Sequence, residues 1–513
     1  MPGFLTRTVG CKVNQYETQA VADLLTGLGV ARAKAPDPVG LVVVNTCCVT
    51  SRAAARSRQA VRRAVRAHPG ADVLVLGCYA TRHPDALRRA AERAGARGRV
   101  HLVGHAEDVA GRIRRAVRSP EADIRAGGRS ARRSGGPEDN GPARAAAGAT
   151  PAGCVRDEGW MRAEPSARPA GSPSTVGASD FSEPHAAAPV KDNVGTAGLP
   201  AIRRFHGHQR AFVKVQDGCD AFCSYCIVPH LRRRVWSRAP EEVLAEVTGL
   251  VARGHKEVVL CGVCLGAYGQ ETVLRRRRRR PAALAGLLAR VAGVPGLWRV
   301  RLSSLDAGDV ADELLGMLAA PTVAGHLHLP LQSGSDRVLR RMRRQYTAGE
   351  FLGVVDRARR AVGDLALTTD VLVGFPGETE DDFAATLDVA RRARFSRVHI
   401  FAFSPRPRTP AWQWRHEAPP AAVVRDRCRR LQALAVDLAA DFRRRFVGRT
   451  VEALVERPGR RTPPGRARGL TDRYLEVTFP APDGDPAGLA GRVVAVRITG
   501  TSPPGLTGTL TRS

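Results

Sequence analysis

Eleven cysteines stand in this chain of 513 residues, and six of them form two groups of three. Cys219, Cys223 and Cys226 lie in one stretch, Cys219-Asp-Ala-Phe-Cys223-Ser-Tyr-Cys226, so a single loop offers three thiolates. Soft sulfur ligands suit iron, and a 4Fe–4S cube held by three protein thiolates keeps one iron open for the amine and carboxylate of a small molecule. Zinc or plain burial are the alternatives, although structural zinc usually takes four ligands and no fourth lies nearby in sequence. The second triad is spread out: Cys11, Cys47 and Cys78 follow the short apolar runs 4–9, 41–44 and 73–76. An odd number of cysteines, after a start without the marks of an export signal, argues against a disulfide framework and for metal or redox use.

The elements that must position these thiols are legible in outline. Runs 4–9, 41–44 and 73–76 read as strands, and the stretches 17–28, 53–67 and 84–94 read as helices. Alternation of this kind predicts a doubly wound α/β domain over residues 1–119, with the three cysteines at the carboxyl ends of a parallel sheet, where such sheets bind ligands. Residues 120–204 are rich in Gly, Ala, Pro, Ser and Arg without a sustained period and are expected to form a disordered linker. Over 205–446, apolar runs at 211–215, 258–263, 298–303, 326–331, 365–375 and 398–403 alternate with helical patterns, which predicts a partial (β/α)6 barrel. Short β-rich runs at 450–455, 474–479 and 492–499 predict a small β-barrel over 447–513.

Lysine and arginine total 80 against 49 acidic residues, a net charge of +31 that favours a polyanionic partner, nucleic acid first. A compositional bias toward arginine would give the same total without binding. The expected linker holds 11 basic and 10 acidic residues, so it is not a basic tail. No apolar run approaches the roughly eighteen residues that would span a bilayer, and the expected location is the cytoplasm without a membrane partner.

The C-x3-C-x2-C loop after a first barrel strand resembles the radical S-adenosylmethionine (SAM) enzymes. With the N-terminal triad and the terminal small barrel, the chain resembles the methylthiotransferases, whose parts are a cluster domain, a radical SAM barrel and a TRAM domain. The segments Leu329-Pro330-Leu331-Gln332-Ser333-Gly334-Ser335 with Met342 and Tyr346-Thr347, Thr369-Asp370 through Thr379, and Phe403-Ser404-Pro405-Arg406-Pro407 agree. The segment Gly10-Cys11-Lys12-Val13-Asn14-Gln15-Tyr16-Glu17 is similar to the branch that acts on N6-threonylcarbamoyladenosine in tRNA. The resemblance implies two 4Fe–4S clusters: one on Cys219, Cys223 and Cys226 that binds SAM and cleaves it to a 5′-deoxyadenosyl radical, and one on Cys11, Cys47 and Cys78 that carries the sulfur. It also implies tRNA as partner, an electron donor such as flavodoxin or ferredoxin, and a sulfur donor that sequence does not identify. Strand ends offer Gly262, Ser303, Gln332 and Asp370 as SAM contacts, each of which could instead close a turn or cap a helix.

Several residues depart from the family pattern. Cys48 adjoins Cys47, and register alone selects Cys47 as the ligand; Cys261 and Cys264 form a C-x2-C pair read as small buried hydrophobes; Cys154 and Cys428 have no evident partner. Arg233 and Trp236 replace the usual Gly and Arg after Cys226. Arg232 and Arg238 could meet phosphate or simply be solvated, and the Arg275 to Arg280 run reads as a solvated loop that, if near the catalytic face, could instead grip tRNA. Competing readings are methylthiolation of another tRNA adenosine or of a ribosomal-protein aspartate, a non-catalytic iron–sulfur RNA-binding regulator, and a zinc-stabilised RNA-binding protein. The two triads separate by substitution: Cys223→Ala is expected to abolish 5′-deoxyadenosine formation, whereas Cys47→Ala leaves SAM cleavage but no methylthio product. Equal SAM cleavage by the wild type and Cys223→Ala in anaerobic assays would refute the role of the central triad.

Overall fold

A computed structural model describes residues 2–34, 37–96, 100–104, 108–118, 199–275, 283–459 and 462–511. Cys154, Arg276 to Arg280 and all but the last six residues of the expected linker lie outside the described residues.

Strands β1 (Gly3–Thr8), β2 (Val39–Thr46), β3 (Asp72–Gly77) and β4 (Val100–Val103) form a parallel sheet in that order. Val42, Val43 and Val44 are all fully buried, as expected of a strand covered on both faces. Helices α1 (Lys12–Gly27) and α5 (Val109–Arg118) cover one face; α2 (Ser51–Ala67), the short α3 (Cys78–Arg82) and α4 (Pro84–Glu92) pack into the other core. A parallel bridge from Phe4 to Arg32 lies on the edge of β1 away from β2. Thus α1 carries the chain past β1 in one direction and α2 steps in the other, so the winding reverses between β1 and β2, where Cys11 and Cys47 leave the sheet. The sheet is therefore doubly wound, as the sequence pattern implies.

The second unit pairs β5 (Arg210–Lys214), β8 (Glu257–Cys261) and β9 (Arg299–Leu302) in one parallel section and β10 (His326–His328), β11 (Ala366–Val373) and β12 (Arg397–Ala402) in another. Bridges Val300–Val323 and Ser304–His328 join the sections. Among the described residues no pairing closes β12 onto β5, so the six-stranded barrel is partial. A two-residue hairpin of β6 (Gln216–Asp217) and β7 (Trp236–Ser237) brackets the loop with Cys219, Cys223 and Cys226. Capping boxes at Thr347 with Glu350 and Thr379 with Asp382 start the helices that follow β10 and β11. Residues within the expected linker take part in the barrel, because Ile202 is buried in its core and its N–H donates to Glu246 Oε1 at 2.8 Å.

Strands β13 (Thr450–Val455), β14 (Arg466–Thr471), β15 (Glu476–Pro480), β16 (Val493–Ser502) and β17 (Gly505–Leu510) close into a small barrel ordered β13-β14-β15-β17-β16. The turn between β14 and β15 enters the amino-terminal end of the larger barrel. There the fully buried Arg301 donates to Glu257 Oε1 at 3.0 Å and Thr471 O at 3.1 Å and lies 3.9 Å from the centre of the Tyr474 ring. Tyr474 also meets His326 edge-on, with centroids 4.5 Å apart.

The N-terminal unit covers the opposite, carboxyl-terminal end. Glu17 of α1 accepts from Lys214 Nζ at 3.1 Å and from Arg232 Nη2 at 2.9 Å, while Arg232 Nη1 lies 2.9 and 2.7 Å from the two oxygens of Asp217. Lys214 also donates to Asp217 at 2.5 Å. All four side chains are less than a tenth exposed. Buried ions of this kind are costly to unpair. Glu17→Ala leaves two cations facing one carboxylate, for which about 3–5 kcal/mol of lost stability is expected; thermal melting of the purified variant checks this, and an unchanged midpoint would refute it.

Candidate functional site

The N-terminal thiols are set by the backbone that precedes them. Gly10 has φ +137° and Gly77 has φ +96°, a region that disfavours side chains. A Cβ on Gly10 would lie 3.1 Å from Cys47 Cβ, and one on Gly77 would lie 2.2 Å from Asn45 Oδ1. Asn14 ties the strand ends together: its Nδ2 donates to Asn45 Oδ1 and Thr46 O, both at 3.1 Å, while Asn45 Nδ2 returns a bond to Asn14 O at 3.0 Å. Ser57 Oγ holds the Cys47 backbone from both sides, accepting from its N–H at 3.0 Å and donating to its carbonyl at 2.9 Å. Cys11 is the N-cap of α1, so the helix begins at Lys12 rather than at the expected residue 17. Cys11 is exposed, whereas Cys47 and Cys78 are buried.

Cys219, Cys223 and Cys226 line a cavity of about 180 Å³ together with Gln332, Arg344, Asp306, Ser304 and Cys264. Phe222 turns the loop with φ +49°. Arg344 Nη1 lies 3.6 Å from Cys223 Sγ, and its Nε donates to Tyr346 OH at 3.2 Å. Asp306 balances its charge from the cavity wall and also accepts from Arg275 at 2.8 Å. The corresponding contact in the other triad is made by Arg232, which hydrogen-bonds Cys78.

Burial raises these thiols strongly. Cys219 is pushed up to about 12 and Cys78 to about 11, while Cys47 and Cys226 also rise, each with neighbouring cysteines adding to the effect of burial. Such groups ionise only when a cation compensates the charge, which is the condition for thiolate ligation. Among the described residues, the set with three candidate ligand atoms within 4.8 Å of one another is His328, Asp370 and His399; neither cysteine triad meets that limit. One tetrahedral zinc with Zn–S near 2.3 Å would hold its sulfurs roughly 3.8 Å apart. A cube, in which each thiolate meets a different iron, needs the wider spacing. Three soft thiols in each set are the donors that an iron–sulfur cube takes.

Of the four expected SAM contacts, Gln332 lines the cavity. Its φ of +62° is strained for a residue with a side chain, and its backbone is clamped to β11 through Asp370 O at 2.8 Å and the Leu372 N–H at 2.9 Å. Gly262 packs against Gln216, and Ser303 is buried with no hydrogen-bond partner for its Oγ; their neighbours Val263, Cys264 and Ser304 face the cavity instead. Asp370 points into the barrel lumen, 3.3 Å from His328 Nε2, whose Nδ1 is 2.8 Å from Thr368 Oγ1. Lys12 and His399 also act on Asp370 and, with His328, hold its carboxyl below the usual range against burial.

Other expectations change. Arg232 and Arg238 are neither solvated nor turned to a phosphate, because Arg232 is spent on Glu17 and Asp217 and Arg238 on Glu246, Tyr16 and the Lys214 carbonyl. Cys48, Cys261 and Cys428 are buried in apolar cores, whereas Cys264 is half-buried at the cavity wall. Arg344 stands between the quoted Met342 and Tyr346, yet nothing in that spacing says that it points back to a loop 121 residues earlier.

A six-stranded partial barrel with three thiols on the loop after its first strand defines a radical SAM core, and residues 213–390 match the Radical SAM superfamily. Residues 4–96 match the family described as Uncharacterized protein family UPF0004, and residues 444–511 match the TRAM domain. The chain is 32% identical over 493 residues, 96% of its length and 92% of the relative's, to Threonylcarbamoyladenosine tRNA methylthiotransferase MtaB of Bacillus subtilis. It is 34% identical over 508 residues, 98% of its length and 85% of the relative's, to the tRNA-2-methylthio-N(6)-dimethylallyladenosine synthase of Mycobacterium bovis. The chain belongs to the radical SAM methylthiotransferase family. That membership implies a 4Fe–4S cluster and SAM as cofactors. No helix among the described residues is long and apolar enough to cross a membrane.

Hydrogen bonds to cluster sulfurs raise reduction potentials. With a cluster held on Cys223, Arg344→Gln is therefore expected to shift its midpoint to a more negative value in an EPR-monitored redox titration while iron content stays the same. An unchanged midpoint would show that the guanidinium contact does not act on the cluster.

Proposed function

We propose that this chain is a cytoplasmic tRNA methylthiotransferase that replaces the C2 hydrogen of N6-threonylcarbamoyladenosine, next to the anticodon, with a methylthio group. On this reading Cys219, Cys223 and Cys226 hold the SAM-binding 4Fe–4S cluster, and Cys11, Cys47 and Cys78 hold a second. When bound, these cofactors supply a carbon radical and a methylated sulfur, which an unactivated aromatic C–H requires. Gln332 orients SAM from the fourth strand, and Arg344 holds Cys223. The buried contacts of Glu17 and Tyr16 keep the sulfur-bearing triad over the barrel mouth, and the Tyr474 turn shuts water out of the other end. Electrons come from a donor such as flavodoxin or ferredoxin.

The observation that carries the substrate choice is Lys12. It follows Cys11 directly, and its charge acts on Asp370, His326 and Cys261 inside the barrel. A cation there suits a base whose substituent ends in a carboxylate, as threonylcarbamoyl does and dimethylallyl does not. The dimethylallyladenosine reading is favoured by the equally extensive similarity to synthases of that product.

Nucleoside mass spectrometry of total tRNA with and without the gene separates the two. Loss of 2-methylthio-threonylcarbamoyladenosine with accumulation of its precursor is expected. Loss of the 2-methylthio dimethylallyl nucleoside instead would establish the second reading, and no change in either would overturn both, leaving another methylthiolation target or a non-catalytic iron–sulfur regulator.

A further inference from the structure

Five arginines gather where the N-terminal unit meets the barrel mouth. Arg58 comes from α2, Arg82 ends α3, Arg233 follows the central cysteine loop, and Arg406 and Arg408 lie beyond β12. Among the described residues none of the five pairs with a carboxylate, although about half of the described barrel arginines do. Their mutual field is visible in two histidines. His83 is lowered to about 4 by burial and then by Arg82, Arg406, Arg58 and Arg408; His230 is lowered by burial and then by Arg82, Arg408 and Arg233. Arg82 and Arg408 act on both, so the five belong to one continuous basic field.

Rings are interleaved with these charges. Arg58 lies 5.8 Å from the Tyr79 ring centre, and that ring is 5.1 Å from His83. Arg233 lies 5.6 Å from the Phe222 ring centre, and that ring is 5.4 Å from His230. Arg406 spans the seam by donating to Ser51 of α2 and Ser404 at 2.5 Å each, while its buried Nε has no partner. Guanidinium groups unmatched by carboxylates, set among aromatic and imidazole rings, are the elements of a surface that tracks a phosphate backbone and stacks bases. The small barrel sits at the other end of the strands. A nucleotide delivered to the mouth can lay its flanking phosphates across this seam.

Building on the tRNA reading above, we propose that Arg58, Arg82, Arg233, Arg406 and Arg408 form a phosphate-binding strip that grips the RNA strand on either side of the target nucleotide. The strip is separate from whatever the TRAM barrel contributes. Its two halves come from different units, so RNA bound there also clamps the N-terminal unit to the barrel.

The test is the salt dependence of tRNA binding by the reconstituted holoprotein. Arg82, Arg233 and Arg408 are changed together to Gln, with the exposed Arg62, Arg63 and Arg66 on the outer face of α2 changed to Gln as a control of equal charge. Iron content and the visible spectrum verify that each variant retains its clusters. Each lost phosphate contact lowers the slope of log K against log salt by about 0.7–0.9, so the seam variant is expected to lose about 2 to 3 and the control nothing. An unchanged slope, or an equal loss in the control, overturns the strip while leaving the tRNA reading intact. Intact tRNA binding with impaired reduction by an acidic flavodoxin assigns the surface to a protein partner and overturns it as well. Absence of tRNA binding by the unsubstituted holoprotein overturns the substrate reading itself.

Discussion

Glu17 is the hinge on which the arrangement depends. It sits in the second turn of the first helix, fully buried, and meets two cations that belong to the barrel, Lys214 and Arg232. Arg232 in turn reaches both Asp217 and Cys78. One carboxylate thereby fixes the distance between the loop that carries the central triad and a thiol of the N-terminal triad. Burying four charges is expensive, and an apolar patch of the same volume would hold the units together at lower cost. The ionic version adds direction. A sliding apolar contact tolerates many registers, whereas Glu17, Lys214, Asp217 and Arg232 satisfy one another in a single relative placement.

Within the N-terminal unit the same logic operates with neutral groups. Asn14, Asn45 and Thr46 bind one another at the ends of β1 and β2, and Thr46 Oγ1 reaches Leu76 O at 2.6 Å on β3. Three strand ends that carry three thiols are thus locked by side chains from only two elements. The glycines at positions 10 and 77 are needed because the backbone approaches these groups too closely for a Cβ. The three cysteines therefore stand on a preset frame.

Much of this was legible in the sequence, and the failures have physical reasons. Strands β2 and β3 are visible because strands buried on both faces read as continuous Val and Leu runs, whereas the short edge strand β4 is not among the expected strands. All six barrel strands are found from their apolar runs, but β14 and β17 are missed because their Arg, Gly and Thr residues break any apolar run and they form only through their neighbours. Helix α1 begins five residues earlier than its apolar period suggests, because Asn14 and Glu17 are buried for their hydrogen bonds rather than their hydrophobicity. The two cysteine triads were evident from spacing. Arg344, Glu17, Lys214, His328 and His399 were not, since each acts on a partner far along the chain, and a lone polar residue in sequence gives no sign of what it faces. Gln332 was found at a strand end, while Gly262 and Ser303 show that the position next to a cavity is not the position facing it.

The turn that carries Tyr474 gives the TRAM barrel a second identity. It forms the floor of the catalytic chamber, wedged among Arg210, Arg301 and His326, with its carbonyls accepting the guanidinium of Arg301. The turn 471–475 crosses the expected boundary near residue 447 and packs into the larger barrel. Exchanging this module between relatives therefore transplants a structural keystone along with any RNA specificity. A chimera keeps its chamber only if the turn 471–475 travels with Arg210, Glu257, Arg301 and His326.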